Sequence, residues 1–116
     1  MKWAVMIVSV LLGLFFLIAA GGTKLAGLPM HVEHFTHWGY PIWFMYVTGF
    51  IEASAGLMLL IPKTRFYGAV LILCTMVGAA ATNFRAEEFE RLPMPIAMFA
   101  LAAFVALRTR PGSQRA

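Results

Sequence analysis

Residues 42–61 read IWFMYVTGFIEASAGLMLLI, twenty positions with a single charged side chain, Glu52, near their centre. At ~1.5 Å per residue, a helix of this length matches the ~30 Å hydrocarbon core of a bilayer. Three other stretches share its character: residues 3–22 behind Lys2, residues 66–82 after the polar turn Pro62-Lys63-Thr64-Arg65, and residues 93–107 after a charged connection at 83–92. The last is short and must recruit Leu92 or sit in a thinned bilayer. Of the 116 residues 61% are hydrophobic and 12% charged, about half the charged share of a soluble domain. A soluble fold this small would leave much of that apolar surface exposed and would aggregate. The expectation is an all-α integral membrane four-helix bundle. Its loops are too short for parallel neighbours, so the helices run up and down. A single bundle is expected over residues 1–108, with a basic polar tail over 109–116.

The amino-terminal run also fits a secretory signal peptide, with Ala20-Gly21-Gly22 as a cleavage site. It exceeds the usual ~7–15-residue core of such a peptide, and Lys24 falls in register with its helix, so the first span is expected to be retained. The connection at 23–41 holds His31, Glu33, His34, His37, Trp38, Tyr40 and Pro41. This aromatic density suits the membrane–water interface. Phe35 and Trp38 are three apart, so a short interfacial helix is expected there, presenting both to lipid.

The net charge of +4 is dispersed, and no basic face can form between apolar spans, which excludes nucleic acid as a partner. The charge reports topology instead. Lys2, Lys63, Arg65, Arg108, Arg110 and Arg115 fall on one side, and Lys24, Arg85 and Arg91 on the other. The positive-inside rule places both termini in the cytoplasm of a multi-pass plasma (inner) membrane protein. Cys74 is the one cysteine. It forms no intrachain disulfide and reads as a small buried hydrophobe.

Glu52 is the most informative residue. A carboxylate at the centre of a span costs ~2.5–3.5 kcal/mol on insertion scales, so partners must offset it. Gly49, Glu52, Ala53 and Gly56 share one helix face, small except for the carboxylate, against which another helix can close. Gly13, Ala20 and Lys24 form a matching face on the first span. Lys24 lies just past that span's end, where it can snorkel to the interface or turn inward to Glu52. Thr75, Gly78, Ala79, Thr82 and Asn83 form a third face. The candidate polar or ligand cluster is therefore Glu52, Lys24, Thr75, Thr82 and Asn83. It serves either as a packing lock or as a ligand, proton or ion site, and no catalytic residue is assigned. His31, His34 and His37 are weak metal candidates. At a spacing of three they turn off one helix face and no cysteine supplements them, so no metal is expected.

Three elements together resemble a known family: Gly22-Thr23-Lys24-Leu25 ending the first helix, Gly39-Tyr40-Pro41 entering a helix with Gly49, Glu52 and Gly56, and Ile61-Pro62-Lys63-Thr64-Arg65 followed by Gly68-Ala69. Their order and spacing, over roughly residues 12–108, are similar to the DoxX-like family of small bacterial membrane proteins. The resemblance implies four transmembrane helices and matches Lys24 and Glu52 to the family's recurrent membrane lysine and glutamate. The family name comes from a subunit of a quinone-linked sulfur-oxidising complex. Many relatives carry a histidine near the end of the third helix, where this chain has Thr82 or Asn83. That departure argues against haem or metal ligation.

The expected function is a non-catalytic accessory or assembly subunit of a membrane complex, because the chain has too few polar groups to build much chemistry alone. One alternative is a quinone-associated redox component, a quinone-linked oxidoreductase subunit if an enzyme at all. It would need a pocket of ~300 Å³ or more beside Glu52, lined by Met and Phe. The other is a small transporter or channel subunit, which would need a polar path past Glu52 toward both sides. The bilayer is the expected partner, with another membrane protein or a second copy left open.

Overall fold

The computed structural model describes residues 2–110. Helix α1 (Lys2–Leu25) is followed by the short α2 (Pro29–Trp38), then α3 (Ile42–Leu60), α4 (Arg65–Arg85) and α5 (Pro93–Thr109). Two 3₁₀ turns, Pro62–Thr64 and Phe89–Arg91, lead into α4 and α5. The fold is all-α, with four helices long and apolar enough to cross a membrane and a short helix between the first two. Only 28–33% of the most apolar stretch of each is buried inside the bundle. The remainder, including Leu11, Ile18, Phe50, Leu57, Val77, Ile96 and Leu107, faces outward. Such a surface is stable only in lipid. The longest dimension, 47 Å, fits a bilayer of ~40–45 Å with its headgroup layers. The tail expected over 109–116 lies, from residue 111 onward, outside the described residues.

Neighbours in sequence are neighbours in space. Helix α1 packs on α3, α3 on α4, and α4 on α5. The first half of α1, Lys2–Leu14, also touches α5, closing the ring at the end that bears both termini. There Leu12, Leu59, Ile72 and Val105 fill a core with the small Ala55, Ala69 and Ala102, all almost wholly buried. The turn at this end satisfies the last carbonyls of α3: Thr64 Oγ1 donates to Met58 O at 2.9 Å and Arg65 Nε to Leu59 O at 2.8 Å. These are the groups a helix end leaves without intrahelical donors.

The second half of α1 is wound differently. Phe15–Gly22 is a π-helix of eight residues, where such winding usually lasts a single turn. It turns more slowly than an α-helix and brings Gly21 onto α3. An ideal Cβ on Gly21 would lie 2.5 Å from Ala53 N, and one on Gly56 2.5 Å from Leu17 N. No side chain fits at either crossing. Helix α1 is thus held against α3 along most of its length.

Helix α2 is not the lipid-facing element expected. Phe35 is buried, in ring contact with Trp38, Tyr40 and Phe44, and Trp38 is half-buried. The apolar side turns inward, where Tyr40 and Phe44 supply ring partners for Phe35. Gly39, at φ 83°, ends α2 in a left-handed residue and turns the chain into Tyr40-Pro41.

Candidate functional site

Close approach of α1 and α3 builds the first part of the site. A Cβ on Gly49 would fall 2.7 Å from Lys24 Cβ, so the lysine stem lies against bare backbone. From there it reaches Glu52, about one turn further along α3. Lys24 Nζ donates to Glu52 Oε1 at 2.6 Å, with the two side chains 15% and 8% exposed. Of the two dispositions open to Lys24 in the sequence, the structure shows the inward one. A charge-assisted bond this short, in surroundings poor in water, removes much of the cost of an unpaired carboxylate.

Beside the pair, the bundle is hollow. Toward the α2 end, α1 follows α3, and α5 starts only after the connection at 86–92, with Pro93 and Pro95 in its first turn. The gap is a cleft of about 1280 Å³, reaching under α2. Its walls are largely apolar, with Phe15, Phe16, Phe44, Met76 and Met98 among them. Cys74 and Gly78, midway and further along α4, line it and are exposed. The cleft therefore opens sideways at the depth of the hydrocarbon. Cys74 lies at that opening, not in a core.

All five residues singled out from the sequence, Lys24, Glu52, Thr75, Thr82 and Asn83, line this one cleft. Of their side chains, only those of Lys24 and Glu52 share a hydrogen bond with each other. Thr75 Oγ1 donates to Ile72 O of its own helix at 3.0 Å. Thr82 shares a 2.8 Å hydrogen bond with Tyr40 Oη. The Asn83 side chain, 7% exposed, has no hydrogen-bond partner among the described residues.

Helix α2 caps the cleft, tied to the far side of the mouth. Trp38 Nε1 donates to Glu88 Oε1 at 2.8 Å, Arg85 Nη2 to Trp38 O at 3.0 Å, and Arg91 Nη2 to His34 Nε2 at 2.8 Å. The Arg85 guanidinium lies 5.3 Å from the Tyr40 ring centroid, within cation–π range. The three histidines have separate partners. His31 Nε2 bonds Thr23 Oγ1 at 2.7 Å, His34 accepts from Arg91, and His37 Nε2 lies 3.9 Å from Glu88 Oε2. Burial, then Lys24 and His34, hold His31 below the ordinary value of 6.5. Burial, then Arg91, do the same for His34, against the pull of Glu88 and Glu33. Both imidazoles are held toward the neutral form. Among the described residues no three metal-ligating side chains converge.

The sequence reading missed this cap. Trp38 and Tyr40 were legible as interface residues, and Arg85 and Glu88 as part of the charged connection at 83–92, but nothing in their spacing says that 37–40 and 82–91 meet. The available signal was the density of aromatic and hydrogen-bonding groups in both connections on one side of the membrane.

An ion-paired lysine and glutamate inside four spans, beside a capped apolar cleft, define a small multi-pass membrane protein with a buried polar centre. The chain belongs to the DoxX-like family of small helical bacterial membrane proteins, whose family model matches residues 7–105. It is similar to the uncharacterized protein YdgD of Bacillus subtilis (strain 168), with 37% identity over 78 residues, 63% of this chain and 68% of that protein. No solved structure matches.

Proposed function

We propose that this protein holds a lipophilic small molecule in the cleft between its spans, and that it does so as a non-catalytic accessory subunit of a membrane complex. The observation that carries the proposal is the cleft itself: about 1280 Å³, lined by Phe and Met, and ending on the Lys24–Glu52 pair. Ligand sites are of this kind, mostly apolar with a few convergent polar groups, and typically span ~300–1,000 Å³. A quinone is within the class, which supports the quinone-associated alternative as a form of the same proposal. Transport has less support, because the core beyond Glu52 is filled by Leu12, Leu59, Ile72 and Val105. In our reading both termini are cytoplasmic and α2 faces outward, on the count of basic residues. A reporter enzyme fused after Ala116 and active only outside the cytoplasm should be silent; strong activity with the chain intact reverses the orientation.

The test uses Gly78. Gly78 lines the cleft, and a Cβ there would meet nothing within 4 Å, so Gly78→Leu puts a bulky side chain at the cleft wall from a position with room for it. Solvent extracts of protein purified in mild detergent, analysed by absorbance and mass spectrometry, should contain one lipophilic compound enriched over the membrane extract. The Gly78→Leu protein should lose most of it while unfolding no earlier than the parent stripped of ligand. Parent extracts that merely repeat the composition of the membrane would remove the basis for a ligand.

A further inference from the structure

The polar groups of the cleft constrain what its ligand looks like. Their charge is already balanced. Lys24 and Glu52 neutralise each other at 2.6 Å. At the mouth, Arg91 bonds the neutral form of His34, and Glu90 stands beside it in the chain. A ligand bringing net charge would place an unpaired ion in a mostly apolar cavity at membrane depth, where such ions are costly.

The hydrogen-bonding capacity is not balanced. The hydroxyls of Thr48 and Thr75 donate to carbonyls of their own helices, and Thr82 is engaged with Tyr40. Lys24 has three N–H donors, of which one goes to Glu52. Glu52 Oε2 forms no bond to another described residue. Asn83, buried and lining the cleft, has both an N–H₂ and a carbonyl oxygen without partners among the described residues. Its backbone is fixed, since Glu88 N donates to Asn83 O at 2.8 Å where the chain turns through Glu87 at φ 60°. The unpaired amide of Asn83 borders the cleft and can take a partner from outside the chain; Ser9 Oγ, the one wholly buried side-chain oxygen or nitrogen without a partner among the described residues, does not line it.

We infer that the cleft takes an amphiphile with an uncharged head that both donates and accepts hydrogen bonds, a hydroxyl or amide on an apolar tail, and that Asn83 reads that head beside the Lys24–Glu52 pair. Beside Asn83 and the Lys24–Glu52 pair, a phosphate or carboxylate head finds no cation that is not already paired, and an ammonium head no free anion; Arg91 and Glu90 line the cleft at its exposed mouth. The cap and the sideways opening make the bilayer the source. This inference rests on the cleft being a ligand site.

Three probes with one tail test it: farnesol, farnesylamine and farnesoic acid. Each is titrated at pH 8 into the detergent-purified full chain, with binding read by native mass spectrometry and by the shift in unfolding midpoint. Farnesol should bind about tenfold more tightly than either charged probe, the discrimination expected when a site's polar groups are matched by one head and stranded by another. Asn83→Leu should bring the three within about twofold of each other, while Asn83→Gln, which keeps the amide, should retain part of the preference. If a charged probe binds as well as farnesol to the parent, or the preference survives Asn83→Leu, the inference about the head is wrong and the cleft stands. If no probe binds the parent, or Gly78→Leu leaves binding unchanged, the cleft is not a ligand site and both proposals fall.

Discussion

The half of the bundle near the termini and the half beneath α2 are made of similar apolar helices, yet one is filled and the other hollow. Near the termini, Lys2–Leu14 of α1 touches both α3 and α5, and alanines at 55, 69 and 102 let large side chains interleave. Beneath α2, the π-wound segment of α1 is drawn onto α3 at Gly21 and Gly49, and the approach that tightens that seam leaves the start of α5 apart. Small residues alone therefore do not predict a tight core. A glycine facing backbone closes a seam, whereas Gly78, facing nothing, marks a gap.

The largest effect should come from reversing these two glycine environments. Gly56→Leu puts a side chain where Leu17 N and Gly13 O already lie within 2.6 Å of the Cβ position. It should destabilise the bundle by about 3 kcal/mol or more. Gly78→Leu should be neutral or gain up to ~1 kcal/mol from helix propensity. Unfolding in a mixed-micelle denaturant titration compares them, and equal losses would dissolve the distinction between seam and gap.

The ion pair comes next. Glu52→Leu leaves Lys24 without its anion, and the lysine can regain solvation by swinging outward, so the loss should be roughly 1–3 kcal/mol, below the full cost of a stranded buried charge. Glu52→Gln should lose less, and the Lys24→Leu, Glu52→Leu double variant should recover most of the deficit. Additive losses in that cycle would show that the pair is not coupled.

The cap should show the smallest effect, as a pH dependence. His34 accepts from Arg91 only when neutral, and its folded value lies below 6.5. The unfolded chain then binds the proton more readily, so this contribution is complete above about pH 6.5 and is lost as pH falls through the lowered folded value. The unfolding midpoint should drop by a few degrees at most in mild acid, the contact being near solvent. His34→Gln, which cannot titrate, should flatten that part of the profile. An unchanged slope would assign the acid loss to other groups.

The positions of the four apolar helices were legible because composition and length act locally: twenty apolar residues have no stable place but a bilayer. The small faces around Gly49 and Gly56 were legible because helical periodicity is local too. Helix α2 was legible as a helix, but Phe35 and Trp38 were assigned to lipid because an amphipathic segment does not say which of two apolar surroundings it meets. The five polar positions were singled out one face at a time. That they line one cavity, with only Lys24 and Glu52 hydrogen-bonded to each other, depends on interhelical distances that no single face contains.

By itself the sequence determined that the chain lies in a membrane as four helices, and that Glu52 needs partners, because the cost of moving charge and peptide groups into hydrocarbon is large and depends on residue type alone. The tertiary structure decided which partner Glu52 takes and which polar group is left waiting. It also decided where the bundle stays open, because packing depends on winding and crossing geometry, and a π segment at Phe15–Gly22 shifts every contact that follows it.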